Sequence, residues 1–338
     1  TGDDFSAAAI AQACNAPLLS TEADNVVMKK DNKISKWNSD SYAGEWLDFG
    51  GFGSGGGWTV SKPMIDLLRN YNDPRMSTYV VPAIGGTFDF IRPTSGSDHD
   101  LWPKRVDYLC QVLTDAGAVY TRTDISADEV EISMPANVNY VGQPVRLNGF
   151  MQPLVRREFF CTPSSYIVVA KNTTDNLYPE LVLTTAEAYF LKAEAIVRGV
   201  PGVTGDAQAL FQEGIRQSMK LWKCADADID AYISSASIAD ISSGTTEQKI
   251  EKIATQRWSN SYTEGFEGWA VVRKLGYPAE LANGVSDPDI FGLGDISGKY
   301  PERMQYGSAA YSSNVDNLNA AIADQGPDKM DTKLWFSK

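Results

Sequence analysis

LTTAEAYFLKAEAIVRGVPGVTGDAQALFQEGIRQSMKLW, residues 183–222, decides the fold. In its first part Ala186, Tyr189, Phe190, Ala193, Ile196 and Val197 recur every three or four positions, which is one face of a helix. Thr184 followed three places later by Glu187 is the pattern of a capping box, so the helix has a defined start. Gly199 and Pro201 end it. In the second part Ala207, Leu210, Phe211, Gly214, Ile215, Ser218, Met219 and Trp222 repeat the spacing. Small residues on both faces (Ala186, Ala193, Ala207, Gly214) let two helix backbones approach closely. The stretch predicts an antiparallel helical hairpin of the tetratricopeptide type, a unit that cannot bury its own face and needs neighbours.

Further helices are expected on either side. Phe5–Cys14 is one, ended at Asn15-Ala-Pro17. Ser61 is an N-cap with Pro63 in the first turn, ahead of Met64, Leu67 and Leu68. Trp102–Val119 carries a helical pattern that Gly117 ends. Asp226, Asp228 and Asp230 read as an acidic helix start. Thr245 with Gln248 caps a helix running to about Asn260. Glu264–Leu275 is another, with Phe266, Trp269 and Ala270 facing inward. Trp258 and Trp269 lie in helical faces and are assigned to the core. Residues 279–310 are a long irregular segment, and a last helix spans Ser313–Asp324 before the tail TKLWFSK. Strands are predicted at TYVVPAI (78–84), FDFIRP, VEISMP, VRLNGF, EFFCTP and YIVVA, separated by Asn, Pro and Gly.

The chain of 338 residues is 43% hydrophobic and 22% charged, ordinary for a globular protein, with a net charge of −13. With no basic cluster it is a poor partner for nucleic acid, whose phosphates need Lys and Arg. Cys14, Cys110, Cys161 and Cys224 are scattered without metal or disulfide spacing and read as buried thiols. No apolar run is long enough to span a membrane.

Most catalytic chemistries find no support. His99 is the only histidine, in a polar Ser-Asp-His-Asp turn, so neither a histidine-based nucleophile site nor a zinc cluster can be assembled. GGFGSGGG, Gly50–Gly57, formally contains GxGxxG, but no strand precedes it and no Lys-Ser/Thr follows. The Asp226–Asp230 alternation is not an EF-hand, because Ala231 stands at the sixth loop position and Ser237 at the twelfth. Asp287, Asp289 and Asp295 offer oxygen ligands for calcium, on spacing alone. Neither cofactor nor metal is expected, and the chain reads as a binding protein rather than an enzyme.

AEAYFLKAEA, the glycine-rich turn, GDAQALFQEGIRQSMKLW and QRWSNSYTEGFEGWAVVRKLGYP together resemble the SusD/RagB family. So do YNDPRM at Tyr71–Met76, and the ending, where PERMQY precedes Asn314, Asn317 and Asn319 and then AAIADQGPDKMDTKLWFSK. The match runs from about Lys62 to the C-terminus. The resemblance implies a mainly α protein, with tetratricopeptide-like hairpins in a right-handed bundle and an irregular loop and short-strand region packed on one side. It implies a single domain: residues 1–60 as the end of an N-terminal helical part plus a loop, 61–182 as helix and short strands, 183–276 as the tetratricopeptide-like helices, and 277–338 as irregular loop and C-terminal helix. It also implies an outer-membrane nutrient-binding lipoprotein, working with a SusC-type TonB-dependent transporter. The family's first helical repeats and lipid-accepting cysteine are then expected N-terminal to Thr1. Cys14, inside AAAIAQACN, is not that cysteine.

Residues 37–58 hold three Trp, one Tyr and two Phe interleaved with acids. A flat ring covers the C–H face of a sugar, and Asp, Asn or Arg satisfy its hydroxyl rim. Function gathers on loops held by a rigid scaffold. Trp37, Tyr42, Trp46, Asp48, Phe52 and Trp58 are therefore the candidate ligand set. The other reading of these rings is that they cap the helical core. Two functions follow: capture of a glycan for delivery to the transporter, or a role without a glycan, either capture of another nutrient such as peptide or docking without a ligand.

Overall fold

The structure, a computed structural model, describes residues 4–29, 59–167 and 179–334. In chain order they form α1 (Asp4–Asn15), β1 (Val26–Met28), α2 (Lys62–Asn70), α3 (Met76–Tyr79), β2 (Val80–Val81), β3 (Gly86–Ile91), α4 (Ser97–Asp115), β4 (Thr121–Ser126), β5 (Glu129–Met134), β6 (Thr162–Pro163) and β7 (Glu180–Leu183). There follow α5 (Thr185–Val197), α6 (Ala207–Leu221), α7 (Asp226–Ser235), α8 (Thr246–Asn260), α9 (Gly265–Leu275), α10 (Ala279–Ala282), α11 (Ser308–Ser313) and α12 (Val315–Gln325). Helix predominates. Strands among the described residues make three small antiparallel sheets: β1 with β7, β2 with β6, and β3–β5–β4.

The hairpin α5–α6 forms as its spacing requires. Ala186, Phe190, Ala193, Phe211, Ile215 and Met219 are buried together with Ile229 and Tyr232 of α7 and Ile253 of α8. Gly214 is where the helices close up: a Cβ there would stand 2.6 Å from a ring carbon of Phe190. Thr184 caps α5 by accepting from the Glu187 N–H at 3.2 Å, and Asp206 caps α6 through Ala209. The expected capping box on α5 is only half formed. The Glu187 carboxylate instead lies 3.5 Å from Arg257 of α8, so a tertiary ion pair has taken it from its own helix end. On α8 the box of Thr245 and Gln248 is complete.

YNDPRM supplies a buried polar hub. Arg75 and Asp73 pair at 2.6 Å, with side chains 0% and 1% exposed. The guanidinium also donates to Ser218 of α6 and Gln256 of α8, and Gln256 donates to the Tyr232 hydroxyl of α7. A buried charge is tolerated only when its partners are in place. Here one short turn satisfies the Arg with groups from two helices and thereby fixes their register.

The other half of the molecule is α4 laid against β3–β5–β4. Val130, Ile132 and Met134 alternate inward along β5 and meet Val106, Leu109 and Leu113 of α4. Several strand expectations fail here. In TYVVPAI the chain through Tyr79 is a helical turn, because the Thr78 and Tyr79 N–H groups bond back to the Arg75 carbonyl, and only Val80–Val81 pair as strand. VRLNGF is not a strand: Arg146 takes φ 59°, and Asn148 caps a 3-10 turn at Gly149–Met151. EFFCTP is a 3-10 turn, Arg157–Phe159, followed by the two residues of β6. YIVVA extends beyond the described residues after Ile167. Helix α4 begins five residues before the expected Trp102, so His99 sits in its first turn, 2.9 Å from the Asp100 carboxylate. Asp287 and Asp289 clasp Lys104 at 2.8 and 2.7 Å. No group of three metal-ligating side chains forms among the described residues. None of their helices is long and apolar enough to cross a membrane.

Candidate functional site

Trp37, Tyr42, Trp46, Asp48, Phe52 and Trp58, with the Gly50–Gly57 run, lie outside the described residues. What the structure does show is a cleft of about 550 Å³ whose rim begins at Thr59, the next residue in the chain. Ile167, the last described residue before 168–178, lines it as well.

Its walls come from two consecutive helices and the turn between them. Trp258 stands near the end of α8, Tyr262 in the turn, and Trp269 in the second turn of α9. The Trp258 ring packs beside Gly268, where a Cβ would meet the indole at 3.6 Å, ordinary contact distance. Tyr300, from the irregular segment, adds a further ring, and Val60, Met64 and Ile167 add apolar lining. Ser61, Ser261 and Thr263 add hydroxyls.

Two of these rings are held by specific contacts. Trp269 Nε1 donates to the Pro301 carbonyl at 2.7 Å, and the Arg273 guanidinium lies 4.7 Å from the Trp269 ring centre. Tyr262 stacks on Tyr79, and its hydroxyl donates to the Tyr79 carbonyl at 3.2 Å. Burial pushes the Tyr300 phenol up to about 12. It raises the Tyr262 phenol as well. Glu264, the N-cap of α9 between two lining residues, is pushed up to about 7, first by burial and then by repulsion from Glu187, Glu267 and Glu180.

This placement corrects two expectations. Trp258 packs against the buried cluster of Val60, Met64 and Trp222, as expected, and lines the cleft as well, while Trp269 lines the cleft instead of the core. Phe266, expected to face inward, is 72% exposed. The buried positions of α9 are Gly268, Val271 and Val272, which puts Phe266 on the far side of the helix and Trp269 on its flank. A sequence signal for the site did exist: two tryptophans and a tyrosine bracket one short turn.

A wider groove of about 760 Å³ runs between α1, α5 and α9. It is lined by aliphatic and basic residues such as Leu191, Val200, Arg198 and Arg273, and no lining residue is aromatic. Of the two, the smaller cleft has the surfaces a sugar ring needs: flat apolar faces with hydroxyl donors beside them.

A SusD-like family model, described as "Starch-binding associating with outer membrane", matches residues 134–306, half of the chain, including Trp258, Trp269 and Tyr300. No curated protein matches the chain. Among solved structures, a SusD homologue from Bacteroides fragilis superposes with a TM-score of 0.67 at 20% identity, over 100% of this chain and 63% of its own. A SusD homologue from Bacteroides uniformis gives 0.62 at 22% identity, over 97% and 59%. A chitin-binding SusD homologue from Flavobacterium johnsoniae gives 0.61 at 16%, over 95% and 55%. The chain thus spans between 55% and 63% of the length of these three, and at such identities the likeness concerns the fold.

Proposed function

The chain belongs to the SusD-like family, described as starch-binding and associating with the outer membrane, and on that premise we propose that it binds oligosaccharide at the cell surface through the Trp258–Trp269–Tyr300 cleft. The observation that carries this reading is the convergence of three rings and Tyr262 on one cavity of about 550 Å³, with Trp269 and Tyr262 held by their neighbours. A prefixed ring platform loses little entropy when a sugar docks, so stacking is realised as affinity. The family supports an outer-membrane location, and the role is binding rather than catalysis. We extend the proposal to delivery of the glycan to a SusC-type TonB-dependent transporter, with tethering by an N-terminal lipid. The chain acts as one domain over 1–338.

The loop residues Trp37, Tyr42, Trp46, Asp48, Phe52 and Trp58 remain proposed contributors. Trp58 is bonded in sequence to Thr59 on the cleft rim, which favours their sharing one site. A second reading, capture of a peptide or docking alone, has the aliphatic and basic groove between α1, α5 and α9 in its favour.

Affinity electrophoresis through gels containing starch, glycol chitin and other polysaccharides tests the proposal. Retardation on at least one polysaccharide, reduced by Trp46→Ala or Trp58→Ala, would bring the loop into the site. Retardation unaffected by both would leave binding to the cleft alone. Free migration on every polysaccharide would shift the reading to peptide or docking.

A further inference from the structure

Pro301-Glu302-Arg303 opens the PERMQY stretch, and its place beside the cleft gives it a task. Two side chains of α9, one helical turn apart, reach consecutive carbonyls of this segment: Trp269 Nε1 donates to Pro301 at 2.7 Å and Arg273 Nη1 to Glu302 at 2.9 Å. The residue before them is Tyr300, which also lines the cleft. The segment is anchored from its other side. Arg303 pairs with Asp328 at 2.9 Å, with side chains 6% and 4% exposed, and the Glu302 and Arg303 N–H groups both bond the Met330 carbonyl.

We propose that Arg273 is a positioning residue of the cleft, clamping Trp269 against the Pro301–Arg303 segment so that the Trp269 and Tyr300 rings stand at a preset separation. The guanidinium covers the back of the Trp269 indole at 4.7 Å while bonding the segment that carries Tyr300. Positions i and i+4 on a helix are the pair that can meet in this way. The proposal rests on the reading of the cleft as a glycan site, but its physical content, an immobilised indole, exists in the free protein.

The test compares Arg273→Met and Arg273→Lys with the wild type. Acrylamide quenching of the Trp269 component is obtained by subtracting the spectrum of Trp269→Phe in each background. Titrations with maltoheptaose and chitohexaose run in parallel, with Trp269→Ala as reference. Arg273→Met is expected to raise Trp269 quenching and to weaken whichever sugar binds by about five- to tenfold, the scale of a partly desolvated cation–π contact. Arg273→Lys keeps a cation over the ring and is expected to restore most of both. Unchanged Trp269 quenching in Arg273→Met overturns the clamp, whether or not a sugar binds. Undiminished sugar binding by Trp269→Ala instead overturns the assignment of the glycan site and leaves the quenching result to judge the clamp.

Discussion

The rings of Tyr79 and Tyr262 lie face to face, with centroids 4.3 Å apart and planes 6° from parallel. Tyr79 belongs to the buried hub: its hydroxyl donates to the Ser259 carbonyl at 2.9 Å, and Trp222 meets it edge-on at 4.3 Å. Tyr262 belongs to the cleft. One stack therefore joins the interior of the helical bundle to the proposed binding surface. Replacing Tyr79 by Leu is expected to cost about 2–4 kcal/mol, through lost ring packing and an orphaned acceptor. Tyr79→Phe keeps the stack and is expected to cost about 1 kcal/mol. Urea unfolding of the two variants reads the difference.

Asp73→Ala leaves the Arg75 guanidinium buried without its counter-charge. A loss of about 3–5 kcal/mol is expected. Removing both charges with Asp73→Ala/Arg75→Met is expected to recover part of that loss, because no ion then remains buried alone. A double variant no more stable than Asp73→Ala alone would contradict this account of the hub.

Glu264 gives the stability a pH dependence with a definite sign. Its folded value of about 7 lies above the ordinary 4.5. A carboxyl raised in this way contributes stability that is fully present below about pH 4.5 and lost as pH rises through about 7. Glu264→Gln cannot ionise, so its Tm is expected to exceed the wild type's at pH 8 and to converge with it at pH 4. Parallel Tm curves across that range would contradict the assignment.

Gly214→Ala tests the closest approach of α5 and α6. Helix propensity favours Ala by about 1 kcal/mol, but the added methyl meets the Phe190 ring. Overpacking is expected to win, with a net loss of about 1–2 kcal/mol. Phe190→Leu in the same chain is expected to relieve part of it, as chemical denaturation would show.

The helices were legible because a buried face writes its period into the sequence. Ala186, Phe190 and Ala193, or Ile250 and Ile253, announce themselves wherever their partners lie. Caps were legible where local bonds decide, as at Thr245, and less so at Thr184, where Arg257 from α8 competes for Glu187. Short strands were harder, since β-branched runs such as TYVVPAI look alike whether they pair or turn. The cleft was hidden for a different reason. Periodicity shows that Trp258 and Trp269 face away from open solvent, but not whether they face a core or a cavity. That depends on Tyr300, more than thirty residues away in a segment without period.

The most direct measurement is isothermal titration of maltoheptaose and chitohexaose into the wild type, Trp258→Ala and Trp269→Ala, with thermal unfolding confirming that each variant is folded. The account predicts that at least one sugar binds the wild type and that each substitution weakens it by about tenfold or more, the scale of one lost ring platform. Wild-type affinity in both variants would contradict it and move the site out of the cleft.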